Sequence, residues 1–76
     1  MKNLLEFILI HFVTHPDDID IEEMNDDFGT EYHIRVHQDD IARVIGRKGR
    51  VIRAIRKLAQ VRAVKDGVRV KISLED

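Results

Sequence analysis

Between Ile41 and Gln60 the sequence IARVIGRKGRVIRAIRKLAQ sets two helical patterns end to end, with Gly46-Arg47-Lys48-Gly49 between them. Ile41, Val44 and Ile45 recur at the i, i+3, i+4 spacing of a helix with one buried face. Val51, Ile52, Ile55, Leu58 and Ala59 repeat that spacing beyond the join, and Arg50, Arg53, Arg56, Lys57 and Gln60 fall on the opposite, solvated side. Two glycines flanking the pair Arg47-Lys48 strip side chains from a tight connection, so backbone can approach a ligand closely. The amides that open the second helix have no intrahelical partner. Free N–H groups, the positive end of a helix dipole and the cations Arg47, Lys48 and Arg50 together predict a phosphate seat.

A chain of 76 residues is expected to form one small domain over 1–76, burying only about 60% of the surface its unfolded form exposes. Without cysteine, disulfides and thiolate metal sites are excluded, and the composition is compatible with a cytoplasmic location. The apolar run Leu4 to Val13 is broken by Glu6 and His11 and falls far short of the roughly 20 residues that span a bilayer. No small-residue cleavage site follows it, so neither a membrane anchor nor a signal peptide is expected.

Net charge is −1, but the charge is segregated. Residues 1–38 carry two basic and nine acidic side chains, net −7, and residues 39–76 carry eleven basic and five acidic, net +6. From Ile41 to Lys71 the only acid is Asp66. A basic half inside a nearly neutral domain points to a polyanionic partner.

In chain order, Leu4, Leu5, Ile8, Leu9, Phe12 and Val13 predict a helix over about 2–14 that Pro16 stops. Ile19 and Ile21 alternate with acids in a strand over 17–23, and 25–30 has turn chemistry. Tyr32, Ile34 and Val36 alternate with His33, Arg35 and His37 in a second strand over 31–37. Asp39 or Asp40 is placed to cap the short helix before the glycines. The long helix runs to about Lys65, with Gly67 as its stop and Arg62 near the middle of its apolar arc. Val68, Val70, Ile72 and Leu74 form a last strand, giving helix, strand, strand, helix, helix, strand.

Catalysis finds no support. The loop lacks the Gly-x-x-x-x-Gly-Lys-Ser/Thr spacing of nucleotide hydrolases, and the single serine, Ser73, lies on a strand among basic residues. The four histidines make two i, i+4 pairs. His11 and His15 have no third ligand near them in sequence, and His33 and His37 on one strand would stand about 13 Å apart, too far for one ion. No metal, cofactor or small-molecule substrate is expected.

Val44-Ile45-Gly46-Arg47-Lys48-Gly49, followed by Arg50-Val51-Ile52, resembles the signature of a KH domain. The element order resembles the type II, prokaryotic arrangement. The size, and the ending Arg62-Ala63-Val64-Lys65-Asp66-Gly67 then Val68-Arg69-Val70, are similar to small single-domain bacterial KH proteins of the KhpA family. The resemblance covers essentially the whole chain and implies an α+β type II KH domain: a three-stranded sheet with helices packed on one face. It also implies binding of about four nucleotides of single-stranded RNA in post-transcriptional regulation. On that basis Gly46 and Gly49 bring the loop to the phosphates and Arg47 and Lys48 add charge. Arg43, Arg50 and Arg53 meet neighbouring phosphates, and Ile41, Val44, Ile45 and Val51 floor a groove with Ile34 and Val36 at its sheet side. A homodimer, or a heterodimer with a larger KH-containing protein of the KhpB type, is the implied assembly, with Ala54, Leu58 and Val61 as the candidate seam. The alternative is an adaptor whose KH-like fold mainly makes protein contacts.

Overall fold

A computed structural model describes residues 1–76 and gives α1 (Lys2–Leu9), β1 (Asp20–Asp26), β2 (Gly29–Arg35), α2 (Ile41–Ile45), α3 (Arg50–Asp66) and β3 (Val70–Leu74). The order is the expected one. Single 3-10 turns at Pro16–Asp18, Gln38–Asp40 and Arg47–Gly49 connect them.

β2 is the central strand, antiparallel to β1 and parallel to β3. A parallel neighbour needs a long crossover, and α2, the glycine loop and α3 supply it. The hairpin is tighter than the sequence suggested. Asp26 Oδ1 accepts from the amides of Phe28 at 2.7 Å and Gly29 at 3.0 Å. This Asx turn lets pairing run to Asp26 opposite Gly29. Gly29 is needed there: a Cβ would lie 2.5 Å from the Arg69 carbonyl oxygen, at a φ of 147°.

One sheet face is buried. Ile21, Tyr32, Ile34, Val70 and Ile72 point at the helices, as strand alternation requires. Against them pack Leu5 and Leu9 of α1, one turn apart, Val44 of α2, and Ile52, Ile55, Ala59 and Ala63 of α3. Leu5, Leu9, Ile34 and Val44 are completely enclosed, each contributing roughly 1.5–3 kcal/mol of transfer free energy. The open face is polar: Arg35 pairs with Asp20 at 3.1 Å, Glu22 at 3.3 Å and Glu75 at 3.2 Å.

Three expectations are corrected. α1 stops at Leu9 rather than near residue 14, because 10–13 close in tighter turns: the amides of Phe12 and Val13 both donate to Leu9 O. Those turns bring Thr14 and His15 to Asp40, contacts a continued helix would miss. The buried arc of α3 follows Ile52, Ile55, Ala59 and Ala63, which leaves Leu58 half exposed and Arg62 on the flank, paired with Asp66 at 3.0 Å. Lastly, Arg56 and Gln60 are not merely solvated. Arg56 Nε donates to Ile72 O at 3.2 Å and Gln60 Nε2 to Val70 O at 2.6 Å. These bonds occupy outward carbonyls of β3 and blunt that sheet edge, leaving the acidic β1 as the open one.

Candidate nucleic-acid interface

The glycine loop joins α2 to α3 with three departures from ordinary backbone within four residues. Gly46 sits at φ 77°, ψ 169°, Lys48 at φ 58°, ψ 25°, and Gly49 at φ 73°, ψ 19°. The Gly46 amide ends α2 on Ala42 O at 2.9 Å, and Gly46 O accepts from Gly49 N at 3.0 Å, closing the turn.

The two glycines are needed for different reasons. At Gly46 a Cβ would fall 2.4 Å from Val51 Cγ2 and 2.8 Å from the Val51 amide nitrogen, so α3 is packed directly against this backbone. Around Gly49 the nearest atom to an added Cβ is Arg53 Nη1 at 3.9 Å. Conformation alone requires glycine there, and the backbone lies open to a ligand. Lys48 is the one non-glycine residue with positive φ, which costs about 1 kcal/mol for an L side chain.

Arg47, Lys48, Arg50 and Arg53 are exposed, and none forms an ion pair within the chain. They converge on the first turn of α3, whose amides and dipole favour an anion. Arg43 is separated from this group. Its guanidinium donates to Asp39 O at 3.0 Å and lies 3.7 Å from Asp40 Oδ1, at the other end of α2.

The apolar residues divide. Ile41, Ile45, Val51 and Val36 are half-buried and offer surface beside the loop. Val44 and Ile34 are fully enclosed in the core, so they support this surface from beneath and cannot line a groove. Their periodicity marked them as inward-facing but could not separate a groove floor from the layer below it. On α3, Ala54, Leu58 and Val61 form an exposed apolar strip, Leu58 at 52% and Val61 at 64% exposure. A cleft of about 260 Å³ adjoins it, walled by Ile8, Phe12, Val51, Ala54, Ile55 and Leu58.

Asp40 is the residue whose role the sequence disguised. It occupies the N-cap position of α2 but its carboxylate makes no capping bond. It is fully enclosed, and accepts from Thr14 N at 2.9 Å, Thr14 Oγ1 at 2.8 Å and His15 N at 2.9 Å. Burial alone would raise its pKa; the bonds from Thr14 and His15 outweigh that and hold it well below the usual carboxylate range. The histidines also pair differently from their spacing. His15, outside α1, stacks on His37 with ring centroids 3.8 Å apart. Their 22-residue separation in sequence gave no signal of it.

Residues 2–74 match the family model for the KH domain of KhpA and KhpB. The chain belongs to this KH family. Among similar proteins, the RNA-binding protein KhpA of Halalkalibacterium halodurans is 37% identical over 76 residues, covering all of both chains. KhpA of Lactiplantibacillus plantarum is 37% identical over 76 residues, all of this chain and 89% of that one. KhpA of Oceanobacillus iheyensis is 41% identical over 56 residues, 74% of this chain and 75% of its own. The KH family is one of binding proteins rather than enzymes.

Proposed function

We propose that this chain binds single-stranded RNA through Gly46-Arg47-Lys48-Gly49, acting in the cytoplasm in post-transcriptional regulation. The observation that carries the proposal is the set of four unpaired cations, Arg47, Lys48, Arg50 and Arg53, around a loop whose backbone is open at Gly49. The family resemblance adds the ligand class, since the named relatives are RNA-binding proteins. Phosphates sit on the loop and the first turn of α3, while bases lie over Ile41, Ile45, Val51 and Val36. Fluorescence anisotropy with a short single-stranded RNA tests it. The double substitution Arg47→Asp with Lys48→Asp is expected to weaken binding at least tenfold. For the parent, log K falls against log salt with a slope of about −0.7 per phosphate neutralised. Equal affinity of parent and variant at matched salt rejects the loop mechanism and favours the adaptor role, for which the open acidic edge of β1 is the available surface.

One KH module contacts few nucleotides, so pairing two raises affinity through effective concentration. We infer that Ala54, Leu58 and Val61, with the adjoining apolar cleft, form the seam with a second copy or with a larger KH-containing partner of the KhpB type. Sedimentation of Val61→Asp is expected to show a monomer where the parent is a dimer; a parent that is monomeric at all concentrations removes the self-association seam.

A further inference from the structure

We propose that His15, His37 and Asp39 form a binding site for a divalent transition-metal ion of the zinc type, which clasps the segment after α1 to the start of α2. One ligand atom from each of the three side chains lies within 4.8 Å of the others. The two imidazoles lie against each other, with ring planes 10° apart; their in-plane lone pairs run side by side, so this stack opens when both turn to one ion. His37 Nδ1 is 3.6 Å from Asp39 Oδ2. Tetrahedral zinc, with bonds of about 2.0–2.2 Å, needs donors roughly 3.3–3.6 Å apart. Rotating the His37 and Asp39 side chains, neither of which is held by core packing, closes that gap while His15 stays on Asp40.

A buried carboxylate stands behind this cluster. Asp40 Oδ2 lies 3.3 Å from His15 Nδ1, and Thr14 Oγ1 lies 3.0 Å from that same nitrogen. The Thr14 hydroxyl proton is directed to Asp40 Oδ1, so its oxygen lone pair and the carboxylate both face Nδ1 as acceptors. That assigns the proton to Nδ1 and leaves Nε2 of His15 with its lone pair, the carboxylate–histidine arrangement that orients a metal-binding imidazole. His37 accepts from the Asp39 amide at 3.0 Å, an exposed contact that a metal can replace. Exposure of 41%, 34% and 66% for the side chains of His15, His37 and Asp39 gives an ion access. Two imidazoles and one carboxylate suit zinc or its neighbours, not magnesium or calcium, which take oxygen donors. The fourth position is left to water.

The test uses the intact chain without RNA, so its result is independent of the RNA-binding proposal. Calorimetric titration with zinc chloride in a non-chelating buffer is expected to give one ion per chain. Zinc at about a hundredfold excess over Kd should raise Tm by on the order of 10 °C. Cobalt(II) should acquire the visible absorption of a tetrahedral complex. His37→Gln and Asp39→Asn, both at solvent-accessible positions and checked for an unchanged metal-free circular dichroism spectrum, should each lose at least tenfold in zinc affinity. His11→Gln and His33→Gln should bind as the parent does. The proposal is overturned if zinc gives no heat and no Tm shift. It is equally overturned if His37→Gln and Asp39→Asn bind zinc like the parent, or if His11→Gln or His33→Gln abolishes binding.

Discussion

The two ends of α2, a helix of only five residues, treat charge in opposite ways. At the N-terminal end Asp40 is sealed from solvent and fully supplied with donors from Thr14 and His15, and Arg43 folds back beside it. At the C-terminal end Arg47, Lys48, Arg50 and Arg53 have no partner, and the backbone passes through unusual conformations at Gly46, Lys48 and Gly49. The first end is built to be satisfied internally and the second to be satisfied from outside. Substitutions at the first should therefore damage the fold, and substitutions at the second should damage binding.

The largest effect is expected at Asp40. Asp40→Asn keeps the shape but puts a donor where the native site has donors already, so a buried group loses its partners. Tm should fall by roughly 10 °C or more. The sign with pH follows from a native pKa held below its unfolded value of about 3.9. The stabilisation is complete above that value and fades as pH falls through and beneath it. The Tm gap between parent and Asp40→Asn should thus be wide at pH 7 and narrow towards pH 2. A gap that stays constant with pH would mean that the charge of Asp40 does not matter.

Next come the glycines, which put the comparison inside one loop. Gly46→Ala meets Val51 at 2.4 Å in a backbone conformation at φ 77°, and should cost roughly 2–4 kcal/mol in chemical denaturation. Gly49→Ala has space, so only the left-handed φ opposes it, at about 1 kcal/mol. RNA affinity should be more sensitive at Gly49 than its small stability cost suggests, because an added methyl lies on the open side. Equal stability costs at both positions would contradict the view that Gly46 faces inward and Gly49 outward.

These contrasts bear on what could be foreseen from the chain alone. The loop, both flanking helices, the presence of three alternating strands and the Gly67 stop were legible because each is local: periodicity, a cap or a spacing within a few residues. β1 itself lies three residues later than expected, over Asp20–Asp26, because Pro16–Asp18 forms a 3-10 turn. The other corrected features join residues far apart in sequence. Asp40 meets Thr14 and His15 across 26 and 25 positions, and Arg56 reaches Ile72 across 16. Helical periodicity placed Val44 inward correctly but could not say that Ile45 and Val51 would keep open surface while Val44 kept none.

Lys48 gives the smallest and most discriminating effect. Its φ of 58° and ψ of 25° place an L residue in the left-handed region, which asparagine occupies more readily than lysine. The side chain is exposed and unpaired, so the fold loses nothing when it is removed. Lys48→Asn should therefore stabilise the protein, by roughly 0.5 kcal/mol in urea denaturation. Removing one cation from the loop should at the same time weaken RNA binding and make the salt slope shallower by about 0.7. Stability and affinity moving in opposite directions in one variant is the signature of backbone strain held for binding. If Lys48→Asn is less stable than the parent, lysine is there for the fold, and the division between the two ends of α2 fails at its most exposed residue.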